Sequence, residues 1–143
     1  MFIRELIRPA GFPWRTWIWE EAVARLDGFK GSTLKPMRDF VAQIAASPYA
    51  DALFTAPSMD VVLVGRIPNF SCYEPHLRME YNTRTRAVEF TYIVDPYSQQ
   101  TWRTQAPIAR AFAHFEHLMH RRLRWFRKQP HGSNKSLERT RER

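Results

Sequence analysis

Glu80 and Glu89 flank Thr83-Arg84-Thr85-Arg86, and the alternation on either side sets them opposite one another across a hairpin. Two carboxylates that share a site repel and split their titrations, which suits general acid/base work or a hard metal ion. Arg78, Arg84 and Arg86 are near enough in sequence to screen both charges, and no third ligand stands at a fixed spacing. A solvated sheet face therefore accounts for the pair better than a reaction centre.

Three further groups invite the same scrutiny. His114, His117 and His120 recur every third residue. On a helix they spread over about 120° on the side away from the apolar stripe. His114 and His117 are placed to share a metal, yet HFEHLMH lacks the four-residue spacing of the zinc motif, and Arg121-Arg122 repels a cation. Solvent-facing histidines, with no metal, are expected. Cys72 and His76 share one loop, but a nucleophilic thiol also needs an oxyanion donor, and none is readable. GFKGST at 28–33 lacks the glycine spacing and terminal Lys-Ser/Thr of a phosphate loop, so it reads as a turn ending in a Ser32 or Thr33 helix cap. No cofactor motif is present.

The elements that must carry these residues follow from periodicity. The run 59–67, MDVVLVGRI, is rich in β-branched residues and apolar on both alternating faces, as in a central or covered strand. The segments on either side of 83–86 alternate more cleanly. Pairing Tyr81 with Val88, Met79 with Phe90 and Leu77 with Tyr92 collects every large apolar side chain on one face, giving a hairpin over 77–94. Met37, Phe40, Val41 and Ile44 sit at i, i+3, i+4 and i+7 in an amphipathic helix over 36–46. Ser47-Pro48 then starts a short helical piece that buries Tyr49, Leu53 and Phe54.

Upstream, 1–8 reads as a short helix, and FPWRTWIW leads into a helix from Pro13 or Thr16 to Leu26. Trp14, Trp17 and Trp19 cannot share one helical side, so core packing and partner contact both stay open for this segment. Downstream, Trp102-Arg103 leads into a last helix from Thr104 or Ala106 to Lys128, with Ile108, Phe112, Phe115, Met119 and Phe126 as its stripe. The fold class is α+β. A small, mainly antiparallel sheet of three or more strands is packed by N-terminal helices and a long C-terminal helix. One domain over 1–129 is followed by a disordered polar tail over 130–143.

Composition narrows the function classes. The single cysteine, Cys72, excludes an internal disulfide and suits a reducing, cytoplasmic setting. Glu5 and Pro9 interrupt any leader-like apolar run, and no stretch is long enough to span a membrane. The net charge of +8 is unevenly placed: residues 1–120 hold 13 Lys+Arg against 12 Asp+Glu, and residues 121–143 hold 9 against 2. The body is nearly neutral, so it is not organised around a phosphate groove.

Three readings follow. The first is a non-catalytic protein-binding module, of inhibitor, immunity or adaptor type. Its partner would be anchored by Trp14, Trp17, Tyr73, Trp102 and Arg103, because aromatics and arginine dominate interface energetics. The second is nucleic-acid binding through Arg121, Arg122, Arg124, Trp125, Arg127 and Lys128, a basic stretch with aromatics interleaved. The third is an enzyme built on Glu80, Glu89 and a histidine or Asp95.

Overall fold

Leu77, Met79 and Tyr81 pair with Tyr92, Phe90 and Val88, the register that the alternation demands. The structure, a computed structural model, describes residues 15–28, 33–95, 97 and 102–126. The hairpin is formed by β3 (His76–Asn82) and β4 (Ala87–Ile93). Its turn is held by the Asn82 side chain, whose Oδ1 accepts from the amides of Arg84 and Thr85 at 2.9 and 3.1 Å. Before it come β1 (Phe54–Ser58) and β2 (Val61–Gly65), and after it β5 (Trp102–Pro107). The five strands form one antiparallel sheet in chain order, β1-β2-β3-β4-β5.

One face of this sheet carries the core. It meets α1 (Trp19–Asp27), α2 (Lys35–Ala45) and α3 (Ala111–His117). Helix α1 contributes Trp19, Ala22 and Leu26, α2 contributes Met37, Phe40, Val41 and Ile44, and α3 contributes Ala111 and Phe115. Phe40 meets Phe90 and Phe115 edge-on at 6.1 and 6.3 Å, and Tyr49 meets Phe115 at 5.5 Å. Such pairs add about 0.5–1.5 kcal/mol each beyond area burial. Trp19 belongs to this core, its indole N–H donating to the Leu53 carbonyl at 3.0 Å.

The opposite face has a smaller apolar cluster at one side, Ala56, Val61 and Leu63 beneath Phe70. Gly65 is required here. A Cβ on it would lie 2.5–2.8 Å from the Phe70 ring, so only a bare backbone lets the loop over 66–75 fold down onto the sheet.

Four expectations are corrected. Residues 102–107 form an edge strand rather than entering the last helix, because Trp102, Thr104 and Ala106 pair onto β4. Only Trp102 and Ala106 on the covered side are apolar, which leaves the alternation of this strand weakly marked in the sequence. Helical structure begins only after Pro107 and ends at Arg122, closing with a wide turn over Leu118–Arg122 in which the Leu123 amide reaches the Leu118 carbonyl. Arg124, at φ 56°, then reverses the chain.

Phe54, expected in a helical piece, instead opens β1, whose Pro57 masked the strand. Thr55 directs its carbonyl outward to the Trp17 amide at 2.7 Å, so Pro57, two residues on, also faces the outer edge and costs no ladder bond. Helix α2 begins after Leu34, not after a Ser32 or Thr33 cap. Finally, α1 begins at Trp19, and Trp17 bridges to β1 instead of lying in the helix. The short helix over 1–8, Trp14 and the tail over 130–143 lie outside the described residues.

Two stability measurements test this packing. Gly65→Ala is expected to lower unfolding stability by about 1–3 kcal/mol through overpacking against Phe70, with part of the loss recovered in a Phe70→Leu background. Thr55→Val is expected to raise stability by about 1 kcal/mol, since the fully buried Thr55 hydroxyl has no hydrogen-bond partner among the described residues. Urea titration reads both.

Candidate functional site

Strand register decides which polar side chains come together. Opposite the helices, one row across the sheet reads Ser58, Val61, Glu80, Glu89 and Gln105. The next reads Ala56, Leu63, Arg78, Thr91 and Arg103. Glu80 and Glu89 are neighbours as the alternation predicts, but each carboxylate is turned to its own partner. Arg78 donates to Glu80 Oε1 at 3.1 Å, and the Asn82 amide group donates to Glu89 Oε2 at 3.4 Å. The two line different hollows.

The larger hollow, about 500 Å³, is the candidate site. Its floor is Val61, Leu63 and Ile93, and its polar wall is Cys72, His76, Arg78 and Glu80. Met59 forms the rim. The Cys72 and His76 that share one loop segment in the sequence thus line one cavity. His76 is buried beside Phe70, and its Nδ1–H donates to the Glu74 carbonyl at 2.8 Å. Burial lowers its pKa, against an opposing contribution from that hydrogen bond, so the imidazole is neutral near pH 7.

Met59, expected within a strand over 59–67, lies before it: the strand spans only Val61–Gly65, because Ser58 pairs with Val61 and leaves residues 59–60 as the turn. It occupies the β1–β2 turn at φ 58°, where glycine is favoured, and it is 72 % exposed. The Arg25 side chain donates to its carbonyl at 3.2 Å and steadies the turn.

The expected partner anchors are dispersed. Arg103 is exposed on this same face, beside a hollow of about 250 Å³ that it shares with Glu89, Thr104 and Gln105. Tyr73 lies in the loop over the face and shares a 2.7 Å hydroxyl contact with Tyr97. Trp17 is half-buried at the β1 edge, with Arg15 and Arg25 over its ring at 5.4 and 5.8 Å. Trp102 points to the helix side of the sheet, its ring tilted against Tyr92 at 5.5 Å. Trp14 lies outside the described residues.

The basic stretch is divided in the same way. Arg122 caps Trp102 at 4.3 Å, while Trp125 packs on Tyr92 at 6.3 Å beneath Arg66 at 5.4 Å. Arg121, Arg122 and Arg124 are all exposed, and Arg127 and Lys128 lie outside the described residues.

The histidines do not all face solvent, which corrects that expectation. His117 is exposed. His114 contacts Thr104 Oγ1 at 3.1 Å and the Phe90 ring at 5.1 Å. His120 donates to the Phe126 carbonyl at 3.0 Å and lies 2.7 Å from the Tyr49 hydroxyl, because the chain reversal brings Phe126 back over it. Burial, then the Glu116 charge, raises the Tyr49 pKa, keeping that hydroxyl protonated. Among the described residues, no group of three His, Cys, Asp or Glu side chains is arranged to hold a metal ion. No helix among them is long and apolar enough to cross a membrane.

A titration tests the His76 assignment. Its folded pKa lies below the ordinary 6.5, so the unfolded chain binds the proton first as pH falls. Stability is therefore expected to be complete above pH 6.5 and to decline as pH drops from there toward the depressed folded value. His114, lowered by burial and then by His117, acts in the same direction. Urea midpoints between pH 7.5 and 5 are expected to fall, and His76→Gln is expected to flatten that slope.

No protein-family model, no curated protein and no solved structure matches this chain.

Proposed function

We propose that this chain is a non-catalytic protein-binding module, of inhibitor, immunity or adaptor type, which takes its partner on the sheet face opposite the helices. The observation that carries the reading is Met59. A methionine held at positive φ costs about 1 kcal/mol that glycine would avoid, and its side chain stays in water at the rim of an apolar-floored hollow. Fold stability alone gives no reason for that residue. A flexible, polarizable side chain that adapts to an incoming surface does.

The surroundings fit the same role. Val61, Leu63 and Ile93 offer an apolar seat, and Arg78 and Glu80 form a partly exposed ion pair beside it. Arg103, Gln105 and Thr91 continue the polar surface toward β5. An apolar centre with a polar rim is the usual anatomy of a protein interface. The carboxylate-pair reading has less support, as Glu80 and Glu89 are turned to separate partners. Nucleic-acid binding has less support because Trp125, one of its proposed contacts, packs edge-on against Tyr92 within the molecule.

Met59→Gly separates stability from binding. The variant is expected to unfold at an equal or slightly higher urea concentration than the native chain. In affinity isolation from the native host, a stoichiometric protein held by the native chain is expected to be lost from both Met59→Gly and Met59→Glu. The same proteins recovered with all three chains would refute this face as the site.

A further inference from the structure

The two edges of the sheet are not alike. At β1, the outward carbonyl of Thr55 is already taken by the Trp17 amide, and Pro57 offers no N–H. At β5, the Ile108 amide turns inward to the Arg86 carbonyl at 2.9 Å. Antiparallel backbones alternate, so Trp102, Thr104 and Ala106 bond to β4, and the amides and carbonyls of Arg103 and Gln105 point away from the sheet. No strand pairs with that edge among the described residues. Pro107, in the same phase, lacks an N–H and limits any further pairing to a short window.

Charge selects the occupant. Exposed Arg103 lies in the window itself, exposed Arg86 and Arg110 flank its Pro107 end, and Arg122 sits over Trp102 at the other. The one carboxylate on the adjoining hollow, Glu89, is engaged by Asn82. A second copy of this chain would set these arginines against their own equivalents, and like charges across a ladder repel. An acidic strand would meet them with opposite charge.

We infer that the β5 edge accepts an extended acidic segment of the partner protein as a sixth strand. Arg103 and Gln105 supply the main-chain bonds, and Arg86, Arg103 and Arg110 supply the charge. The hollow beside Thr104 and Gln105 receives a side chain of the incoming strand. This deepens the protein-binding reading and rests on it.

The probe is a fluorescent peptide of alternating glutamate and valine, titrated against the full chain. A lysine–valine peptide and a glutamate–valine peptide N-methylated on alternate amides serve as comparisons. The acidic peptide is expected to bind, more weakly as salt rises. Gln105→Pro removes an outward donor while sparing the bonds to β4, and is expected to weaken binding several-fold to about tenfold at an unchanged thermal midpoint. Arg103→Glu is expected to weaken it further.

Equal binding of the N-methylated peptide would overturn strand addition, and equal binding of the lysine peptide would overturn the acidic assignment. Failure of the acidic peptide to bind at low salt would overturn the proposal. A dimer of the native chain that Gln105→Pro dissolves would assign the edge to a second copy instead. A host partner lost with Met59→Gly but retained with Gln105→Pro would overturn the edge while leaving the protein-binding function in place.

Discussion

Leu77, Met79 and Tyr81 stand opposite Tyr92, Phe90 and Val88, and a slip of one residue would turn one strand's three away from the face that the other's share. That register is the constraint on which the molecule depends. It creates a continuous apolar face, and α1, α2 and α3 can bury their own apolar sides only against it. It also sends every intervening residue to the other side. Arg78, Glu80, Glu89 and Thr91 are therefore an outward surface because Leu77, Met79, Phe90 and Tyr92 are an inward one. The polar face follows from the core's geometry.

That outward surface is unevenly covered. Beneath the loop over 66–75 it is sealed, with Phe70 lying over Gly65 and His76 buried and tautomerically fixed by the Glu74 carbonyl. Beyond the loop it opens into a hollow whose rim is a strained, exposed methionine. A buried hydroxyl at Thr55 and a left-handed Met59 both act against stability within a few residues of each other. Of these two, only Met59 reaches the surface. The β5 edge continues the same face toward its cationic end, where Arg103 is exposed.

The C-terminal segment spends its chemistry internally. Arg122, Trp102, Tyr92, Trp125 and Arg66 pack in succession, and Tyr49 joins His120, Glu116 and Phe126. Arginines over aromatic faces gain quadrupole attraction and leave their stems along apolar surface. This closes the β4–β5 end of the core after the helix has stopped at Arg122. A stretch that looks like an external basic face in linear order thus supplies packing as well as charge.

What the sequence determined by itself was whatever rests on local period. The α+β class, the β3–β4 register, the Glu80–Glu89 juxtaposition and the buried side of α2 all follow from alternation or from 3.6-residue spacing, and they recur in the fold. The tertiary structure decided the rest. Phe54–Ser58 contains a proline, and Trp102–Pro107 has only Trp102 and Ala106 to mark its covered side. Each became a strand because an adjacent strand offered an unpaired edge whose amides had to be satisfied. The candidate site was illegible for the same reason. Met59, Cys72, His76, Arg78 and Ile93 are brought to one hollow by two strands, the β1–β2 turn and a loop folded over a glycine, and no local spacing encodes that convergence.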